Sequence, residues 1–237
     1  MRMVISHLTR MHGGHICVAG VDLQTRRHVR PVLSTGPISS HLLARYGGPF
    51  EMAHVVDLGR LRPRPEEPHV EDYILVPSWV KVERTAEAHE FWNLLHEVTA
   101  TRFREIFGEA LKAVGHMRLG TEPGCGSASL GCLRPRDPPQ LYLAAARDGK
   151  RQIRIKFTDG AMRADASVTD LRLYGDDHAT PDADKVRGVA KWILDSEGVL
   201  LGVGLTRKFR PSEQAAYVHY LQVNNIHLKE EPTWQLG

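Results

Sequence analysis

Cysteine is scarce in this chain of 237 residues: Cys17, Cys125 and Cys132 are all there is. An odd, low number excludes a disulfide-stapled scaffold. Cys125 and Cys132 stand too far apart for the CxxC knuckle of a zinc site, and Cys17 lies in an apolar strand pattern and reads as a small core residue. Aromatic residues are also few, 7% of the chain, which argues against a surface built wholly of stacking platforms. No apolar run approaches the length of a membrane span. The opening "MRMVISHLTRMHGG" lacks the apolar stretch of a secretion signal. The expectation is therefore a cytoplasmic protein with no membrane contact. GxSxG, P-loop, GxGxxG and HExxH motifs are absent, as is a Cys–His nucleophile context. No named enzyme chemistry follows, and no catalytic residue, metal or cofactor is expected.

Neither sign of charge dominates: the net charge is +3. The basic residues are skewed, however, with 23 Arg against 8 Lys. A GC-rich coding sequence explains most of that skew, since Ala, Gly, Leu and Pro are plentiful too. The functional reading is that guanidinium suits bidentate phosphate contacts and stacking.

What is present is a succession of short apolar runs, long enough in total for one large domain or two small ones. Residues 3–8, 15–23, 28–34, 54–63 and 73–83 read as strands, with a short helix over 39–46 and a proline-rich loop over 62–72. Residues 85–115 carry Phe91, Leu94, Leu95 and Val98, then Phe103, Ile106, Phe107, Leu111 and Val114, at helical spacing. Thr85 serves as N-cap and Gly115 as terminator. Strands resume at 130–135, 140–146, 151–157 and 162–174. A helix over 180–198 is capped by Thr180 with Pro181 in its first turn, and 199–209 and 217–228 close the chain. The expected fold is mainly β, α+β overall: a β unit over 1–84, a helical connector over 85–116 and a second β unit over 117–237 with one further helix. Each β unit is of roughly five-strand size.

"LTR" occurs at 8–10 and again at 205–207, each time ending a strand, and "VRPVL" (29–33) is echoed by "LRPRD" (133–137). These matches raise the possibility of an internal duplication. The blocks "ISHLTRMHGGHICVAGVDLQTRRHVRPVL" (5–33), "SLGCLRP" (129–135), "VTDLRL" (168–173) and "LGVGLTRKF" (201–209), in that order, resemble the dual-OB-containing domain family of prokaryotes. The likeness rests on the Cys17–Gly20 strand and the Arg30–Val32 segment, and leaves out the central helices and the last ten residues. Where the family carries an aromatic before the Arg-Pro pair, this chain has His28-Val29, which leaves a stacking contact there without its ring. The resemblance implies two OB-like small barrels, a nucleic-acid-binding role and a defence or mobile-element neighbourhood.

OB folds bind oligonucleotides across a strand face and its adjoining loops. Arg10, Arg30, Arg134, Arg207, Lys208 and Arg210 lie at strand ends or in flanking loops and are the candidates for phosphate and base contacts. His7 and His15 are candidate phosphate donors. Tyr142, Phe157, Tyr174, Tyr217 and Tyr220 are candidate stacking groups. The expected partner is DNA or RNA in a basic groove made by both units. Two rivals remain: a metal-dependent phosphodiester enzyme using Asp176, Asp177, His178 and Asp182, and a module docking a partner protein through helices 85–115. A His7, His12, His15 metal site is the weaker reading of that turn. Asp22 and Asp170 read as turn residues or ligand hooks.

Overall fold

The computed structural model describes residues 1–145, 149–210 and 212–234. The first unit comprises Arg2–Met11 (β1), His15–Asp22 (β2), His28–Val32 (β3), the short Ile38–Ser39 (β4), His54–Asp57 (β5), Arg62–Pro63 (β6), Asp72–Ile74 (β7) and Lys81–Thr85 (β8). Their order in the sheet is β6-β7-β3-β2-β1-β5-β8, with β4 on β2. β1, β2 and β3 form an antiparallel meander, β5 lies antiparallel to β1, and β7 runs parallel to β3.

Next come Ala88–Glu97 (α1), Thr99–Ala100 (β9), Phe103–Phe107 (α2), Lys112–Gly115 (β10), Arg118–Thr121 (β11), Leu130–Leu133 (β12), Gln140–Ala145 (β13), Arg151–Thr158 (β14), Arg163–Val168 (β15), Ala183–Asp195 (α3), Val199–Leu205 (β16) and His219–Leu228 (β17). The second sheet runs β13-β14-β15-β17-β16-β12-β9. Again a meander is followed by a last strand parallel to the third, β17 on β15, and a fourth strand, β16, antiparallel to it. β12 pairs with β16 and β13 with β14. Together they take the place that β1 fills alone in the first unit. The break between them is "RPRDPP" (134–139), whose three prolines cannot donate to a ladder. The chain is thus mostly β, with two OB-like units. Neither ladder of hydrogen-bonded strands closes on itself among the described residues.

Several sequence expectations are corrected. The helical connector is two short helices. Gly108 takes φ +64°, a conformation that favours glycine, and ends α2. Residues 112–115 then form a strand, hairpinned to β11 through Met117 at φ +53°. The expected helix over 39–46 is a pair of single 3-10 turns ended by Gly47. The strand 54–63 breaks where Gly59 donates to Asp57 Oδ1 at 2.9 Å, and 73–83 breaks at a 3-10 turn begun by Pro77. The strand 162–174 stops at Val168, where Asp170 starts a 3-10 turn. Thr180 does not cap α3: its hydroxyl donates to Asp177 Oδ2, and Asp182 accepts from the amides of Asp184 and Lys185.

Two apolar cores divide between Val98 and Phe103. Phe91, Leu94 and Leu95 of α1 pack with β1, β2 and β5, whereas Phe103 and Phe107 of α2 pack with β14, β15 and β17. β1 and β17 meet at the junction. Leu8 N donates to Asn225 Oδ1 at 2.8 Å and Asn225 Nδ2 donates to Leu8 O at 3.3 Å, so a buried carboxamide stands in for a strand partner. Arg10 N donates to Thr169 O beside it. Glu71, just before β7, accepts from Ser129 N, Ser129 Oγ and Leu130 N at 2.7–3.1 Å, fastening the first unit to the start of β12. Among the described residues no helix is long and apolar enough to cross a membrane.

Candidate functional site

The two "LTR" stretches are not equivalent. The first ends β1, the first strand of its unit, and the second follows β16, the fourth strand of the other. Duplication of one hairpin is therefore not their explanation. They nevertheless line the same cleft, a cavity of about 660 Å³ between the units. One wall is the second-and-third-strand face of the first unit, with Cys17, Arg30 and Val32, and the loop bearing Arg64 and His69. The other is residues 205–208 with His219, Gln222 and Asn224 of β17. In an OB fold the face of strands 2 and 3 and the loop between strands 4 and 5 are where oligonucleotides lie.

The centre of the cleft is one carboxylate shared by two guanidinium groups. Arg30 sits on β3, its backbone amide held by Glu71 O at 2.8 Å, and its Nε donates to Asp72 Oδ1 at 2.5 Å. Arg207 comes from the other unit and donates through Nη2 to Asp72 Oδ2 at 2.5 Å. Asp72 and Arg30 are both buried, while the Arg207 side chain is 50% exposed. The trio carries a net positive charge, and Arg30 Nη2 is buried without a hydrogen-bond partner. The half-exposed Arg207 guanidinium is the part of the trio open to an incoming anion. His69 lies edge-on to His219, with ring centroids 4.9 Å apart. Burial, then the charges of Arg30 and Arg207, push the His69 pKa down to about 2, so the ring is neutral and leaves the cleft's positive charge to arginine and lysine. Glu66, Glu67 and Asp72 are the acids facing Arg10, Arg30, Arg64, Arg207 and Lys208. Among the described residues no Phe, Tyr or Trp lines the cleft. Burial raises the pKa of the Cys17 thiol at its wall, which disfavours the thiolate.

Of the residues expected from sequence, Arg10, Arg30, Arg207 and Lys208 line this cleft. Arg10 is partly spent: its Nε donates to His178 O at 2.9 Å and its guanidinium lies over the Tyr174 ring. Arg134 is exposed at the break between β12 and β13, outside the cleft. Arg210 lies over Tyr217, also outside it. His7 is corrected outright as a phosphate donor. An irregularity in β1 between Ile5 and His7 accompanies its burial, and its ring packs edge-on to His28 and within 3.2 Å of Asn224 Nδ2. Burial holds its pKa well below the usual histidine range. His15 turns to His12 O at 3.0 Å in the exposed first turn. His7, His12 and His15 therefore do not converge, and no group of three metal-ligating side chains forms among the described residues.

The acids of the rival enzyme reading have loop duties. Asp177 accepts from Ala179 N, Thr180 N and Thr180 Oγ1, which lowers its pKa to about 2, and Asp182 caps α3. Asp22 closes a turn on Thr25, and Asp170 is fully buried against Arg172. The docking reading needed apolar residues exposed on the central helices. The exposed large hydrophobic side chains, among them Trp79, Trp192, Leu194, Phe209 and Tyr217, lie outside α1 and α2. Of the candidate stacking groups, Phe157 and Tyr174 are buried in the second core and Tyr142 is tied to Asp165.

Sequence reasoning missed Asp72, Arg64, His69 and Phe209. Phe209 had a signal, an aromatic flanked by basic residues in "TRKFR" (206–210). Asp72 had none, because its partners lie 42 and 135 residues away. In comparison with known proteins, residues 1–226 match the dual OB-containing domain. No curated protein and no solved structure matches the chain.

Proposed function

The chain belongs to the dual OB-containing domain family, and from that premise we propose that it binds a nucleic-acid strand in the cleft between its two OB-like units, with Arg30, Arg207, Lys208 and Arg64 meeting the phosphates. The observation that supports this most is the Arg30–Asp72–Arg207 trio. It draws a cation from each unit to one point and leaves guanidinium donors over. Arg207 and Lys208 are exposed to a passing backbone, while Arg30 is held buried against Asp72. A cleft on an OB strand face suits an unpaired strand better than a duplex. A prokaryotic defence or mobile-element setting belongs to this reading through the family likeness alone, and a cytoplasmic one through the lack of an apolar leader run in the sequence.

The test is fluorescence anisotropy with short single-stranded DNA, single-stranded RNA and duplex DNA at several salt concentrations. The single strand is expected to bind most tightly, with affinity falling as salt rises. Arg207→Ala and Lys208→Ala should each weaken binding and lower the salt slope by about one. Unchanged affinity and slope in both variants, with the fold intact, overturns the assignment of the cleft.

A further inference from the structure

A second, smaller cavity of about 220 Å³ opens on the other side of Thr206, which lines both. It belongs wholly to the second unit, between the β14 and β15 face and the loop joining β16 to β17. Its chemistry differs from that of the cleft. Phe209 and Tyr220 form an aromatic pair at its wall, ring centroids 6.4 Å apart and inclined by 63°. Phe209 is 57% exposed, yet it is not on a slack loop. Its backbone exchanges two hydrogen bonds of 3.0 Å with Val218. Phe209 is thus an exposed ring on an anchored backbone, set between Lys208 and Arg210.

The floor is polar and already organised. Arg154 donates from Nε to Asp165 Oδ1 and from Nη1 to Ser167 Oγ, both at 3.1 Å, and Tyr142 Oη donates to Asp165 Oδ2 at 2.7 Å. These groups hold each other still. Two others at the cavity are uncommitted. Neither the Gln152 carboxamide nor the Arg118 guanidinium makes a side-chain hydrogen bond or ion pair among the described residues. A carboxamide presents a donor and an acceptor side by side, the pattern that reads a base edge. Guanidinium fits a phosphate or stacks on a base.

We infer that this cavity receives one unpaired nucleobase, stacked on Phe209 and read by Gln152. The strand's phosphates pass Thr206 into the arginine cleft. The inference rests on the proposed function and divides its labour. Among the described residues the inter-unit cleft has cations and no Phe, Tyr or Trp, and its His69 and His219 rings are packed edge-on against each other, so it takes the backbone. The second unit has the rings and a free amide, so it takes a base. The same loop, residues 206–209, serves both.

An abasic strand separates the two claims, because it keeps the phosphates and has no bases. The probes are labelled single strands of about twelve nucleotides, one for each base and one fully abasic, read by anisotropy. The native protein should bind at least one base-bearing strand about ten-fold or more tighter than the abasic one. Phe209→Ala should erase most of that ratio, a loss of roughly 5- to 100-fold on the base-bearing strand alone, and should leave abasic affinity and the melting temperature unchanged. Gln152→Ala should reorder the preference among bases. If all strands bind alike and Phe209→Ala moves none of them, the base pocket is refuted and the cleft reading stands. If Arg207→Ala and Lys208→Ala leave abasic binding unaltered while the Phe209 effect persists, the cleft is refuted and the base pocket stands. If no strand binds at all, both fall together.

Discussion

Acid should weaken this fold through its buried histidines well before its carboxylates are protonated. His28 lies beside His7 at the junction of the units, and neither ring nitrogen of His28 has a hydrogen-bond partner. His227 is fully buried on β17 with its ring edge-on to Phe91. Burial lowers His28 to about 4. Burial, aided by the Arg172 charge, lowers His227 to about 3. Both rings are therefore neutral in the fold, whereas an unfolded histidine has a pKa of about 6.5. As the pH falls below that value the unfolded chain takes up protons first, so stability is complete above about pH 6.5 and is lost on the way down towards the two folded values. At about pH 5 each ring costs about 2 kcal/mol, or about 4 kcal/mol together. That is a large fraction of the roughly 5–15 kcal/mol that holds a typical domain folded. With a urea dependence near the upper end of the usual range, the midpoint should fall by about 1–2 M between about pH 7.5 and about pH 5. His7, lowered by the same burial, acts with the same sign. A double variant, His28→Leu with His227→Leu, should reduce the dependence without abolishing it, because His7 and His69 remain and act with the same sign. A midpoint that stays put in the native protein, or falls equally in the double variant, refutes the reasoning.

Two substitutions probe the scaffold itself. Asp170→Asn leaves Arg172, fully buried and donating to Asp170, Ile226 O and Trp234 O, without its counter-charge; urea unfolding should show a loss of about 3–5 kcal/mol. Glu71→Ala removes a buried carboxylate that holds three donors of the second unit; the loss should be roughly 2–3 kcal/mol or more, and strand affinity should fall with it because the cleft spans that junction.

How much of this could be read from the sequence depended on how local the cause was. β14, "RQIRIKFT", alternates so regularly that its inward face, Ile153, Ile155 and Phe157, follows from the period alone. The buried stripe of α3, Val186, Val189 and Ile193, is as plain. The order of family blocks supplied the two-unit plan, which periodicity alone left at the level of two five-strand groups. The failures have physical causes of longer reach. Residues 111–115 suit a helix or a strand by pattern, and the decision fell to Gly108 and the pairing with β11. Thr180 and Asp182 are both good caps by composition; which of them caps α3 depends on Asp177 having claimed Thr180. At the cleft, arginines at strand ends were visible and the acid that organises two of them was not. His7 fits an outward-facing position in a simple alternation, but β1 is covered on both sides where it meets β17.

Glu71 and Asp72 show why the cleft is a property of the pair of units and of neither one alone. Successive residues in an extended segment point to opposite sides. Glu71 turns to Ser129 and Leu130 and fixes the second unit in place. Asp72 turns the other way and accepts from Arg30 of its own unit and Arg207 of the other. One dipeptide thus sets both the docking and the charge at the cleft's centre. Its geometry also explains how two unrelated "LTR" stretches come to share a site. Asn225 holds β17 against Leu8 on β1, which places the end of β1 beside the loop that leaves β16. Arg10 and Arg207 are brought together by that joint and by nothing in their own strands. Arg10 is then consumed by Tyr174 and His178, whereas Arg207 keeps half its surface in water. The two arginines that looked alike in the sequence therefore divide into one held as a brace and one left half in water at the cleft, and the difference follows from which strand each one ends.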